Sequence, residues 1–123
     1  MTENDLELLD FRVLDLTTHV NPGVGTELQL DTKSSISART PEPFDGTLYM
    51  YLTIRIAGQD EELFLLNITT ETIVKLPEGV TQVTEEDAPA CIAVAQRETT
   101  RAIKEITTSM GITPLDIASA GQE

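Results

Sequence analysis

Apolar and polar residues alternate strictly between Leu48 and Ile56, in the sequence LYMYLTIRI. A period of two residues is the side-chain period of a β-strand, so every second residue from Leu48 onward is predicted to lie on one face. The opposite face carries Tyr49, Tyr51 and a threonine before its first charge appears. Both faces of this strand are therefore expected to be covered, in a chain too small to cover them easily.

Three further segments have the pattern of strands. The first, at residues 8–20, changes its apolar phase between Val13 and Leu14, which predicts a β-bulge that re-aims the strand. The second, at residues 26–38, is polar enough for the edge of a sheet. The third of these, at residues 61–76, follows the opening stretch after a short turn, and the two are predicted to form a β-hairpin.

A helix is predicted over residues 85–110. Thr84 and Asp87 resemble a capping box at its start, and Pro89 is tolerated in a first turn. Apolar or small residues recur at helical spacing and form one stripe. The members of this stripe are Ile92, Ala95, Thr99, Ala102, Ile103, Ile106 and Met110.

The element order predicts an α+β fold, a four-stranded antiparallel β-meander followed by one long helix on one face. We expect a flexible acidic tail at residues 1–7, a single domain at 8–118 and a second flexible tail at 119–123. One helix covers only one face of a sheet. The other face, with Tyr49 and Tyr51, is predicted to need a second subunit or a bound ligand, and a second subunit is favoured.

Composition narrows the classes of partner. The 123 residues contain 8 basic and 21 acidic side chains, a net charge of −13. Such a charge repels nucleic acid and anionic lipid, so neither is an expected partner. The single cysteine forms no internal disulfide, and the sequence shows neither a signal peptide nor a membrane span. These features favour a cytoplasmic protein.

No arrangement of residues points to a reaction centre. His19 and Cys91 are the only residues of their types. His19 is interpreted as a surface or interface histidine, and Cys91 as a small buried hydrophobic residue. Metal-ligand spacing is absent, and no glycine-rich loop has the spacing that cradles a phosphate. The sequence therefore predicts a protein that is not an enzyme, with no catalytic residue, no metal and no cofactor.

Three motifs, in their order along the chain, resemble the SecB family of export chaperones. The first is DFRVLDL, residues 10–16, similar to that family's opening strand. The second is EELFLLNITTETIVKL, residues 61–76, with an acidic turn and an apolar Phe-Leu pair. The third is CIAVAQRETTRAIKEITTSMGITPLDIA, residues 91–118, similar to the long helix with a central Arg-Glu and a Pro-Leu exit.

The resemblance implies an acidic, cytoplasmic protein that forms homo-oligomers, dimers or tetramers. It implies ATP-independent holding of unfolded or precursor polypeptides in apolar and aromatic grooves, with a role in protein transport. The candidates for client binding or subunit contact are Phe11, Val13, Leu14, Leu28, Tyr49, Tyr51, Phe64 and Leu66. The candidates for helix packing or a subunit interface are Ile92, Ile103 and Ile106.

Two departures from the family open an alternative. Typical members continue into a second helix that flanks the groove, whereas this sequence stops at Glu123. The family docks the export ATPase SecA through carboxylates whose places here fall near Val20 and Asn67, and neither residue is acidic. An adaptor or oligomerisation module with one dedicated partner, such as a toxin–antitoxin-linked or phage-borne relative, is the second hypothesis. A small-molecule-binding domain with a cavity under the helix is the third.

Overall fold

The structure is a computed structural model that describes residues 1–20, 30–58 and 64–110. Four strands and one long helix follow a short 3-10 helix along the chain. Their bounds are Glu3–Asp5 for the 3-10 helix, Glu7–Val20 for β1, Leu30–Arg39 for β2, Thr47–Gly58 for β3, Phe64–Lys75 for β4 and Ala88–Ser109 for α1.

The strands form one antiparallel sheet in the order β1-β4-β3-β2. Four antiparallel strands followed by one long helix are confirmed, as is the position of polar β2 at an edge. The order differs from a strict meander, because β1 pairs with β4 and not with β2. This is a Greek-key order, in which three consecutive strands are joined by hairpins and the fourth returns beside them. The pairing puts the more apolar edge strand, β1, next to the buried strand β4.

Two irregularities bring Leu8, Phe11, Val13 and Leu16 of β1 onto one face. The register with β4 shifts between Val13 and Asp15, which confirms the predicted bulge. A second shift, between Leu8 and Asp10, was not predicted. Each bulge adds one residue to β1 without a partner on β4, and so changes which parity of the strand faces the core. Adjacent apolar pairs such as Val13-Leu14 are the sequence signal of both bulges.

Helix α1 packs chiefly over β3 and β4, the two central strands. It begins at Ala88, three residues later than predicted, because residues 84–87 form a separate turn. In that turn the Thr84 hydroxyl donates to Asp87 Oδ2 at 3.0 Å. The buried apolar residues beneath the helix form a single core: Leu48, Met50, Leu52, Ile54, Ile56, Phe64, Leu66, Ile68, Val74, Leu76, Cys91, Val94, Ala95 and Ile103.

The N-terminal segment is folded against this layer. The Thr2 amide donates to Asp5 Oδ2 at 2.7 Å, and Met1 and Leu6 pack against the core. Glu3 forms an ion pair with Arg97 of the helix at 3.4 Å. The sequence predicts a flexible tail here, and the structure instead places residues 1–6 against the helix. Residues 119–123, the second predicted tail, lie outside the described residues.

Buried threonines join the helix to the sheet unequally. The hydroxyls of Thr70 and Thr99 are 2.8 Å apart and hydrogen-bonded, whereas the fully buried hydroxyl of Thr72 has no partner within the described residues. We predict that Thr72→Val raises the free energy of unfolding by about 1 kcal/mol, since it removes a desolvated hydroxyl. Thr70→Val should lower it by about 1–2 kcal/mol, because it leaves Thr99 without its partner.

Urea unfolding of the two single variants measures both changes in the free energy of unfolding. The two substitutions are isosteric and lie in the same strand, β4, so their effects can be compared directly. The double variant Thr70→Val/Thr99→Val is expected to be more stable than Thr70→Val alone. In the double variant both hydroxyls of the hydrogen bond are replaced by methyl groups, so neither is left buried without a partner. Destabilisation by Thr72→Val as large as that by Thr70→Val would contradict this account.

Candidate functional site

Strand β1 carries a row of apolar side chains that the helix leaves uncovered. Their exposed fractions lie between 40% and 48%. We name this surface the β1 apolar strip, and its members are Leu8, Leu9, Val13, Leu14 and Leu16. Scattered exposed leucines are common, but a contiguous row of this kind marks an interaction surface.

The register shows that Leu8, Val13 and Leu16 of the strip lie on the helix side of the sheet. Directly opposite residues of an antiparallel pair share a face. Val13 lies opposite Thr70, and Leu16 lies opposite Ile68, both of which are fully buried. These three residues therefore continue the core layer outward, past the flank of α1, and the bulge residues Leu9 and Leu14 adjoin them along the strand.

A small groove lies on the other flank of the helix, between α1 and the edge strand β2. Its volume is about 150 Å³. Its mouth includes Ile36 of β2, which is 37% exposed, and Ile92 of the helix, which is half-buried. We name it the β2 groove, and it is lined by Ile36, Ser37, Ala38, Leu48, Met50, Val83, Ala88, Cys91 and Ile92.

The predicted client-binding residues divide between different environments. Val13 and Leu14 belong to the β1 apolar strip, and half-buried Phe11 faces the same side because it lies opposite Thr72. Phe64 and Leu66 are only 5% and 1% exposed, so the structure assigns them to the core beneath the helix. Burial excludes these two from a surface site in the single chain. Leu28 lies outside the described residues.

Tyr49 and Tyr51 lie on the opposite side of the sheet, here named the outer face. The guanidinium of Arg39 lies 4.5 Å from the centre of the Tyr49 ring, a cation–π geometry. Arg39 also donates from Nε to the Tyr51 hydroxyl at 3.1 Å. The two tyrosines are therefore partly covered by a neighbouring side chain and do not form an open aromatic surface.

A polar chain crosses the outer face from β2 to β1 and centres on Glu71. Arg12 donates from Nε to Glu71 Oε1 at 2.7 Å, and the Glu71 side chain is only 7% exposed. Burial by itself raises the pKa of Glu71. Hydrogen bonds from Arg12 and Tyr51, with the positive charges of Arg12 and Arg39, outweigh burial and hold that pKa below its usual value. The outer face is thus tied together by polar contacts between strands.

We predict that Glu71→Gln lowers the free energy of unfolding by about 1–2 kcal/mol at pH 7, because it removes charge-assisted hydrogen bonds. The folded-state pKa lies below that of the unfolded chain. The ionised carboxylate therefore stabilises the fold above about pH 4.3, and this contribution is lost as the pH falls through the folded-state value. The difference in the free energy of unfolding between the variant and the wild type should therefore shrink as the pH falls through this interval. Urea unfolding at several pH values from 7 to 3 measures that difference. Glu78→Gln, at an exposed position, is the control, and an equal loss there would refute the assignment.

The chain is similar to a known protein in its fold. No protein-family model matches the chain, and no curated protein matches its sequence. Among solved structures, the chain is similar to the Mycobacterium tuberculosis Rv1957 SecB-like chaperone in complex with a ChAD peptide from the Rv1956 HigA1 antitoxin. The match covers 91% of this chain and 85% of that chain, with a TM-score of 0.62 and 16% sequence identity. The chain has the SecB-like fold.

Within this SecB-like fold, the three predicted helix residues have different burial. Ile103 is fully buried in the core, and Ile106 is partly buried against it. Ile92 lines the β2 groove. The strip lies beside the edge strand β1 and the groove beside the edge strand β2, one on each flank of α1.

Sequence reasoning missed Leu8, Leu9 and Leu16 of the strip and Ile36 of the groove. The adjacent pair Leu8-Leu9 is a sequence signal for the strip, since two apolar residues in a row in a strand accompany each bulge of β1. Ile36 stands alone among polar neighbours, and nothing in the pattern distinguishes it from a core residue of an edge strand.

Other chemistry has little support in the described part of the chain. There, no group of three or more His, Cys, Asp or Glu is placed to hold a metal ion, and no helix is long and apolar enough to cross a membrane. Burial, together with the charge of Asp87, raises the pKa of the Cys91 thiol, which opposes the thiolate form of a nucleophile. A shallow depression of about 570 Å³ on the solvent side of the helix is bordered by Arg97, Arg101 and Lys104, and two of these form ion pairs with Glu98.

Proposed function

We propose that this chain is an ATP-independent holding chaperone that binds non-native polypeptides. The observation that carries the proposal is the β1 apolar strip, a row of exposed aliphatic side chains continuous with the core layer. The client surface consists of this strip, with Val13 and Leu14 at its centre, and of the β2 groove. The acidic surface, with a net charge of −13, favours basic clients.

The chemistry of the two surfaces suits extended polypeptide. Apolar burial stabilises a complex by about 25 cal/mol for each Å² removed from water, without any requirement for a particular client sequence. Both surfaces adjoin edge strands, β1 and β2, whose outer backbone groups have no neighbouring strand within the described sheet. A client segment can therefore pair with an edge while its alternate side chains enter the apolar surface.

The SecB-like fold supports a polypeptide as the ligand, because the mycobacterial neighbour is a chaperone in complex with an antitoxin peptide. We extend to this chain the role of chaperone, in the cytoplasm and as a homo-oligomer, dimer or tetramer. Export with SecA receives less support. Asn67, near one of the places where the family carries a carboxylate, lies opposite Arg55 in the register.

The second candidate function is an adaptor with one dedicated partner. The same neighbour favours it, since its peptide comes from a specific antitoxin. A dedicated partner would occupy the strip and the groove permanently, whereas a holding chaperone leaves them open to many clients.

Light scattering from a denatured test protein, diluted into buffer without ATP and with this protein at equal subunit concentration, tests the proposal. A holding chaperone suppresses the aggregation of several unrelated test proteins. Unchanged scattering from a sample shown to be folded by circular dichroism would reject the chaperone and favour the adaptor.

A further inference from the structure

Residues 1–6 lie against the helix, directly before β1, and we name this segment the strap. Its middle, Glu3–Asp5, is the short 3-10 helix, which contacts α1. The side chains of Met1 and Leu6, on either side of this turn, pack against the core. The strap therefore covers part of the apolar core with two side chains.

Leu6 lies in line with the β1 apolar strip. Leu8, the first member of the strip, is opposite buried Val74 on the helix side of the sheet. The same register, continued two residues past this pair, brings Leu6 toward Leu76, which also belongs to the core. The strap thus occupies the helix side of the sheet at the point where the strip, followed back from Leu8, meets the core.

Most of the polar contacts of the strap are internal. The Thr2 amide donates to Asp5 Oδ2 at 2.7 Å, and the Leu6 amide donates to the carbonyl oxygen of Glu3 at 3.1 Å. These bonds close the turn without joining it to the rest of the chain. A turn of three residues is not stable by itself, because its hydrogen bonds do not offset the conformational entropy of ordering it. The strap therefore depends on its contacts with the helix and the core.

The polar contacts to the helix side are weak. Glu3 pairs with Arg97 at 3.4 Å, with both side chains about half exposed, and Arg97 is shared with Glu98 at 3.5 Å. A second contact, from the amino group of Met1 to Asp87 Oδ1, is longer, at 4.0 Å. Exposed ion pairs contribute little to stability and are screened by salt. A ligand that buries more apolar surface than Met1 and Leu6 can therefore take the place of the strap.

We propose that the strap is an intramolecular cover at the end of the client surface, displaced by a bound non-native polypeptide and loosened by salt. Its displacement uncovers core surface and lengthens the β1 apolar strip beyond Leu8. Salt acts on the two states unequally, because it screens the pair between Glu3 and Arg97 but leaves apolar burial in place. The proposal rests on the client surface proposed above and adds a regulation of its affinity by ionic strength.

Glu3→Lys tests the strap, since it turns the attraction to Arg97 into a repulsion and leaves the helix and the sheet unaltered. The amides of Asp5 and Leu6, which are hydrogen-bonded within the strap, are expected to exchange hydrogen with solvent about threefold faster at low ionic strength. The concentration of protein that halves the light scattering of the test protein should fall about threefold. Both differences should disappear at about 0.5 M salt.

Glu78→Lys is the matched control, because it makes the same change of charge at an exposed position outside the strap. It should leave the exchange of the two amides at the wild-type rate and change the half-suppressing concentration by less than about twofold. Leu6→Ser, which removes the apolar contact of the strap and no charge, should act in the same direction as Glu3→Lys.

Unchanged exchange of the two amides in Glu3→Lys, or an equal increase in Glu78→Lys, would overturn the proposal. Faster exchange with an unchanged half-suppressing concentration would also overturn it, because the strap would then not limit access to the client surface. If neither the wild type nor Glu3→Lys suppresses aggregation, the chaperone proposal fails, and the uncharged dye Nile red decides about the strap. Higher Nile red fluorescence in Glu3→Lys than in Glu78→Lys supports a cover over apolar surface, and equal fluorescence rejects it.

Discussion

Replacing Leu14 by serine is expected to weaken the binding of non-native polypeptide about tenfold. Leu14 is among the most exposed members of the β1 apolar strip and has no partner residue on β4. Its burial against a client removes apolar surface from water, and loss of most of one leucine corresponds to roughly 1.5 kcal/mol. The fold should be retained, because the position is a bulge on an edge strand. The measurement is the concentration of protein that halves the light scattering of the test protein.

Phe44→Ser is the matched control for this variant. Phe44 is also an exposed apolar residue, but it lies in the loop between β2 and β3 and not on β1. We expect its half-suppressing concentration to change less than twofold. The double variant Leu9→Ser/Leu14→Ser should suppress almost no aggregation. Equal effects of Leu14→Ser and Phe44→Ser would show that suppression does not depend on the strip.

Replacing Ile103 by alanine is expected to lower the free energy of unfolding by about 3 kcal/mol, the usual cost of a cavity in a packed core. Ile103 is fully buried between the helix and the sheet of one chain. The loss should be the same at all protein concentrations, since the packing is within the chain. Urea unfolding at two protein concentrations, tenfold apart, measures both quantities.

Ile92→Ala separates core packing from the groove. Ile92 is half-buried at the β2 groove. We therefore expect the free energy of unfolding to fall by only about 1 kcal/mol, together with weaker client binding. If the effect of Ile103→Ala instead grows on dilution, the residue acts at a subunit interface, and the assignment to the core of the single chain is wrong.

The two sides of the sheet differ in what covers them. On the helix side, one helix is narrower than four strands, so the layer is open at both edges, beside β1 and beside β2. On the outer face, Arg39, Tyr51, Glu71 and Arg12 are joined from strand to strand. The apolar surface available to a partner is therefore at the margins of the helix layer, and the outer face offers charges.

Local patterns in the sequence determined the elements of this fold. Strict alternation from Leu48 to Ile56 predicts β3, because the side-chain period of a strand is local. The phase change at Val13-Leu14 predicts the bulge, and the apolar stripe predicts the helix, since each depends on residues close along the chain. Two aromatic residues opposite an apolar face also indicated that the outer side of β3 is not simply solvated.

The tertiary structure decided which apolar residues are core and which are surface. Phe64 and Val13 are both apolar residues within a strand pattern, and the sequence does not distinguish them. Phe64 lies under the helix, whereas Val13 lies beyond its flank. The pairing of β1 with β4, the network around Glu71 and the facing cations Lys33 and Arg55 arise between residues distant in sequence. Periodicity fixes the side of a strand that is apolar, but only the packing of strands and helix fixes what lies against that side.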